Sequence, residues 1–287
     1  DLRHYYFMRL LLSGPLFIIA CLPVCLLLSG KPHPVQLQLI SEKDAIVPGQ
    51  NFYLGLHIKH DKGWHTYWKN PGDVGLAPSI KWDLPKGFNV HPFQWASPEL
   101  HKMGIIDVQA FHGTITHIIP MEAPANLEVG KKIKILGHAS WLMCSKKCIP
   151  ANRDLSLTLP VVEKAKKIAR WEKQFATTRE GFPQTVKGWE ISAKTVGEYV
   201  EMLIQPGAKQ IPVPHPYFFC DSNHITTQEK PKYLPKGRDL IIRMKKTEWA
   251  PKIISRLTGH LYSEKGWDSQ GKIHNMEVDI PLDTSKK

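Results

Sequence analysis

The chain has no phosphate-binding glycine loop, no Gly-x-Ser-x-Gly elbow, no dinucleotide fingerprint and no His-Glu-x-x-His pair. These absences remove kinase, serine-hydrolase, nucleotide-dependent and zincin chemistries. Acidic residues are also scarce: 26 Asp and Glu face 38 Lys and Arg, giving a net charge of +12. The lysines are scattered, and there is neither an arginine-rich helix nor an aromatic RNA-binding strand pattern. The basicity therefore reads as a solvated surface suited to acidic partners or an anionic membrane, not as a nucleic-acid footprint. The 14 histidines form no short-range ligand motif and read as strand and surface residues.

Long apolar runs are confined to one place. Residues 10–28 are almost wholly apolar, preceded by Met8-Arg9 and followed by Ser29-Gly30-Lys31. This reads as an export signal or N-terminal anchor over residues 1–30, with Met8 a candidate initiator. Ile18-Ile19-Ala20-Cys21 resembles a lipobox, which would make Cys21 a lipidation site. Export places the remainder in the periplasm, where disulfides form.

Beyond residue 31, short alternating runs are separated by Pro and Gly turns. Val35 to Ile40, Phe52 to Ile58, Ile80 to Trp82, His117 to Met121 and residues 132–159 read as strands. Expected over 31–160 is a mostly β, immunoglobulin-like antiparallel sandwich. Residues 161–180 carry Val162, Ala165, Ile168, Ala169 and Phe175 at helical spacing, reading as a linker helix. Strand patterns resume over 181–287 as a second, smaller β domain. There Cys220, in Tyr217-Phe218-Phe219-Cys220, reads as a buried apolar thiol. The run Trp64-His65-Thr66-Tyr67-Trp68 reads as core, and Phe111 before Gly113 fits either a core ring or a loop-tip lid.

Of five cysteines, Cys21 and Cys25 fall in the export segment, leaving Cys220 and the pair Cys144 and Cys148. The pair sits where two alternating strands meet. In a continuous strand, positions i and i+4 lie roughly 13 Å apart, so the chain must reverse within Ser145-Lys146-Lys147 for the sulfurs to bond. So short a loop contributes only about 2 kcal/mol by chain entropy, against about 4–5 for a loop of a hundred residues. Lys146 and Lys147 favour the thiolate, the reactive form. The pattern favours a redox pair. Three other readings stay open: an inert hairpin disulfide, a zinc site lacking its second cysteine pair, and a copper(I) module adding Met143, His138, His112 and Met121 to the thiols.

Gly63-Trp64-His65-Thr66-Tyr67-Trp68-Lys69-Asn70-Pro71-Gly72-Asp73, together with Trp141-Leu142-Met143-Cys144 and Cys148-Ile149-Pro150, resembles the N-terminal periplasmic region of the DsbD/ScsB thiol:disulfide interchange proteins. The likeness is strongest over 31–160 and fainter over 211–281. It implies a protein-disulfide reductase that takes electrons from a membrane-embedded thiol donor and passes them to oxidised periplasmic proteins, with no cofactor or metal needed. It also implies Cys148 as nucleophile, Cys144 as resolving cysteine, and Phe111 with His112 as a cap loop. Better-known DsbD members carry acidic residues before the cap aromatic, where this chain has Gln109-Ala110, with Asp107 more distant. No membrane or thioredoxin-like domain follows in this sequence, so the expected donor is a separate protein of the CcdA or DsbD type.

Overall fold

The computed structural model describes residues 33–283; the export segment at 1–30, the lipidation reading at Cys21 and the polar tail at Lys286-Lys287 lie outside the described residues. The strands of the first half are β1 (Val35–Ser41), β2 (Asn51–His60), β3 (Thr66–Tyr67), β4 (Ser79–Asp83), β5 (Asn89–Val90), β6 (Glu99–Met103), β7 (Ile106–Phe111), β8 (Thr114–Glu122), β9 (Lys132–Cys144) and β10 (Cys148–Pro160). They form three sheets, ordered β1-β2-β8-β5, β10-β9-β4 and β3-β7-β6. Period-two burial builds the core between the first two. Leu54, Leu56 and Ile58 of β2 and Ile119 and Met121 of β8 meet Ile135, Ala139, Trp141 and Met143 of β9 and Leu155 and Leu159 of β10. Each such fully buried side chain contributes about 1.5–3 kcal/mol. The result is the expected antiparallel sandwich.

The linker differs from its sequence reading. Residues 161–168 do not coil; Ile46 bridges Val161, Lys43 bridges Lys167, and Ile168 donates its N–H to the Glu42 carbonyl. This backbone pairing holds Ile168 extended and delays the helix, α1, to Ala169–Glu180. The helix is docked on the sandwich, not free. Phe175 packs on Ile40 and Ile118, Arg179 forms a two-pronged ion pair with Glu42 at 2.7 and 2.9 Å, and the Thr178 hydroxyl donates to the Thr116 carbonyl. Gly55 of β2 makes room for it. A Cβ there would lie 2.7 Å from Thr116 Cγ2 and 3.1 Å from the Phe175 ring.

The remaining strands are β11 (Trp189–Val196), β12 (Tyr199–Pro206), β13 (Tyr217–Cys220), β14 (Lys232–Lys236), β15 (Asp239–Lys245), β16 (Arg256–Tyr262) and β17 (Asn275–Asp283). Their sheet order is β13-β16-β17-β11-β12-β15-β14. All its pairings are antiparallel except the β11–β17 contact, which is parallel and holds just Ala193 to Leu282 and Lys194 to Asp283. Around that narrow joint the two halves enclose one core, including Met202, Ile242, Leu257, Leu261, Trp267 and Val278.

Both β regions belong to one compact unit from Pro34 onward. Their seam is built by Asn70-Pro71-Gly72-Asp73. Asn70 Nδ2 donates to the carbonyls of Cys220 and Ser222, at 2.8 and 3.0 Å. Asp73 Oδ2 accepts from the Thr226 hydroxyl and from the Thr227 amide and hydroxyl. Gly72, at φ +96°, brings its backbone so close that a Cβ would meet Thr227 Oγ1 at 2.8 Å. Trp68 and Phe111 close the seam against Phe219, and Lys69 pairs with Asp221 at 2.6 Å.

Three histidines are buried neutral in this framework. His60 bonds the Gly113 carbonyl through Nδ1 and Thr66 Oγ1 through Nε2, while His260 bonds Ser97 across the seam and His117 packs against Trp95. Burial pushes His60 down to about 4 and His117 and His260 to about 3. Below pH 6.5 the unfolded chain binds protons that the folded chain refuses, so stability is full above pH 6.5 and falls as pH drops toward 3–4. The expected loss is about 2 kcal/mol per histidine at pH 5. Urea unfolding at pH 7.5, 6 and 5 checks this; an unchanged midpoint would show that these rings are charged in the folded state.

Candidate redox site at the cysteine hairpin

Strands β9 and β10 pair without slippage from Lys132–Pro160 to Cys144–Cys148, so the two cysteines face one another as the last pair before the turn. Their sulfurs are bonded and their Cα atoms lie 4.2 Å apart. The two differ sharply in environment. Cys144 is fully buried, whereas Cys148, Lys146 and Lys147 are exposed. Cys148 is thus open to reagents from solvent, whereas Cys144 is shielded from them.

The buried sulfur has specific company. His65 and Cys144 exchange both backbone hydrogen bonds, His65 N–H to Cys144 O at 2.9 Å and Cys144 N–H to His65 O at 3.0 Å. That bridge brings Tyr67, two residues on, against the disulfide. Its hydroxyl donates to Cys144 Sγ at 2.9 Å and lies 3.6 Å from Cys148 Sγ. Tyr67 is wholly buried, and burial raises its hydroxyl's pKa, keeping it a donor. An O–H aimed at a sulfur favours the thiolate there when the bridge is reduced. The core reading of Trp64 to Trp68 thus holds for Trp68 and Tyr67, but it missed that Tyr67 also touches the sulfur.

Cys144 is roofed by the β6–β7 hairpin. Val108, Ala110, Met103 and Ile106 pack around Cys144 and Tyr67. The hairpin turns through Gly104-Ile105, with Gly104 at φ +67°, as a two-residue turn opening on glycine requires. The pattern Met-Gly-Ile-Ile carried this signal in the sequence, but the alternation on either side is too weak to show the strands. Phe111, expected in a cap, lies instead at the base of the hairpin, buried against Trp68 and Phe219 and stacked on Trp95. Its position at a β7 end paired with Thr66 turns the ring into the seam. His112 falls beside His65 and His101, with ring centroids 5.5 and 4.7 Å away.

The Gln109-Ala110 departure acquires a physical meaning. Ala110 is fully buried in the cluster around Cys144, so the sulfur's surroundings there are apolar. The copper set is not assembled at the thiols: Met121 and Met143 are sealed in the sandwich core, and His138 bonds Asp154 at 2.6 Å. Cys220 is free and buried, and burial raises its thiol to about 11.

The family model for the N-terminal region of the thiol:disulfide interchange protein DsbD matches residues 36–160. Residues 36–160 are a DsbD N-terminal domain. The N-terminal periplasmic domain of ScsB from Proteus mirabilis superposes with a TM-score of 0.64 at 19% identity, covering 88% of this chain and 94% of that one, which establishes a shared fold across both β regions. The E. coli chaperone DraB aligns over 87% of this chain and 97% of its own at 7% identity, with a TM-score of 0.23, too low to carry an argument. No curated protein sequence matches the chain. The DsbD-type domain with its Cys144–Cys148 bridge is a thiol:disulfide interchange module.

If Tyr67 tunes the leaving sulfur, Tyr67→Phe slows reduction of the bridge by dithiothreitol at pH 7 by about threefold to tenfold, from a loss of one to two units of thiolate stabilisation. Stopped-flow reduction measures it, with a urea midpoint as the control for folding. An unchanged rate removes Tyr67 from the chemistry.

Proposed function

We propose that the protein is a periplasmic protein-disulfide reductase that relays electrons from a membrane thiol donor of the CcdA or DsbD type to oxidised exported proteins. The observation that carries the reading is the asymmetry of the pair, one sulfur exposed at a hairpin tip and the other buried under a hydroxyl donor. In the reduced protein the Cys148 thiolate, favoured by Lys146 and Lys147, attacks a partner disulfide. One partner thiolate leaves and takes a proton, and a mixed disulfide remains. Cys144 then attacks Sγ of Cys148, releasing the second partner thiol and leaving the 144–148 bridge, so two electrons have passed. The donor's dithiol restores the pair by the reverse sequence. With Ala110 at the roof, Tyr67 takes the place of a carboxylate beside Cys144.

Exposed apolar side chains support partner docking: Ile149, next to Cys148, is 40% exposed, and Ile105, at the tip of the hairpin that roofs Cys144, is 94% exposed. The described residues contain no helix long and apolar enough to cross a membrane. The periplasmic location is supported by the ScsB match, which is itself a periplasmic domain.

Cys144→Ser should accumulate mixed disulfides with oxidised periplasmic proteins, and Cys148→Ser should not; the opposite outcome reverses the assigned roles. A redox titration of the wild type should give a potential above about −300 mV, since inert structural bridges lie below that value. Ile105→Glu should weaken reduction by the protein donor while leaving reduction by dithiothreitol unchanged. Equal loss with both reductants would assign Ile105 to folding.

A further inference from the structure

The three histidines beside the disulfide come from separate elements. His65 precedes β3, His101 lies in β6 of the roof hairpin, and His112 follows β7. One ring nitrogen from each lies within 4.8 Å of the other two. His65 is fully buried, and neither of its nitrogens has a hydrogen-bond partner among the described residues. A buried imidazole left with no partner at either nitrogen is costly, about 1–3 kcal/mol per unsatisfied group, and asks for a ligand. Neither nitrogen of His112 is hydrogen-bonded, although Glu99 Oε2 stands 3.3 Å from its Nδ1. A carboxylate beside a ligating imidazole fixes the ring and raises its basicity.

We propose that His65, His101 and His112 bind a single divalent transition ion of the zinc class, with a water or the Glu99 carboxylate in the fourth position. Zinc–imidazole bonds of about 2.0–2.1 Å in a tetrahedron place the nitrogens roughly 3.3 Å apart, so the rings need close by only about 1.5 Å. Neutral imidazoles are the ligating form. An open groove of about 560 Å³ borders the cluster at His112 and Glu99. Three imidazoles with an oxygen ligand suit Zn²⁺ or Co²⁺ rather than copper(I), which prefers sulfur.

The consequence is mechanical. Two ligands ride on the hairpin that roofs Cys144 and the third is fixed to Cys144 by the backbone bridge, so the ion ties the roof to the floor. This latch rests on the redox reading only for its purpose; metal binding is independent of it and is measured with the disulfide intact, which excludes Cys144 and Cys148 as thiolate ligands.

Oxidised protein should bind one Zn²⁺ by isothermal titration and show Co²⁺ visible bands of a tetrahedral site that Zn²⁺ displaces. His101→Ala should weaken binding at least tenfold, His112→Ala likewise, and His138→Ala, remote from the cluster, should not. Zn²⁺ should slow reduction of the wild type by tris(2-carboxyethyl)phosphine, which does not strip the ion as a dithiol does, at least threefold and leave His101→Ala unaffected. Absence of a stoichiometric site, or undiminished binding in the His101 and His112 variants, overturns the metal site. Unchanged reduction with the ion bound overturns the latch.

Discussion

The backbone bridge between His65 and Cys144 is the constraint on which the rest of the site depends. It is made of two hydrogen bonds, yet it fixes the register of everything that follows in the segment to Asp73. Because side chains alternate, His65 and Tyr67 turn toward the disulfide while Trp68 packs into the seam against Phe219. Two and five residues after Trp68, Asn70 and Asp73 take hold of the second β region. A slip of one residue would exchange these faces, withdrawing the tyrosine from the sulfur and unseating the seam together.

This continuity explains why the aromatic run and the cysteine pair occur as one signature. Gly63 to Asp73 is not simply core beside a redox hairpin. One end of it forms the floor of the disulfide and the other the joint to the second β region, so the chemistry and the domain arrangement are specified by the same eleven residues. The burial of Cys144 follows from that floor and from the roof of Val108, Ala110, Met103 and Ile106, whereas Cys148 stays open because its strand starts at the turn.

Much of the architecture was legible because burial imposes a period of two. Leu54, Leu56 and Ile58, or Ile135 and Ala139, announce a strand with one buried face. The cysteine spacing likewise demanded a reversal at Ser145-Lys146-Lys147. Where tertiary pairing decides the local form, the pattern failed. Residues 161–168 have helical spacing but are held extended by Glu42 to Ile46, and Phe111 looks like a lid until Trp68 and Phe219 enclose it. The histidine cluster was invisible for a different reason: His65 and His101 stand 36 positions apart in the chain, and only the folding of the roof onto the floor brings them together.

The burial of Cys220 has a consequence for counting electrons. Burial raises its thiol to about 11, well above the ordinary range, and the surrounding side chains bar a reagent from it. Within the folded body the sulfur chemistry therefore has a stoichiometry of two, not three. On the proposed mechanism, a mixed disulfide at Cys148 has Cys144 as its one exit among the described residues, because Cys220 is enclosed.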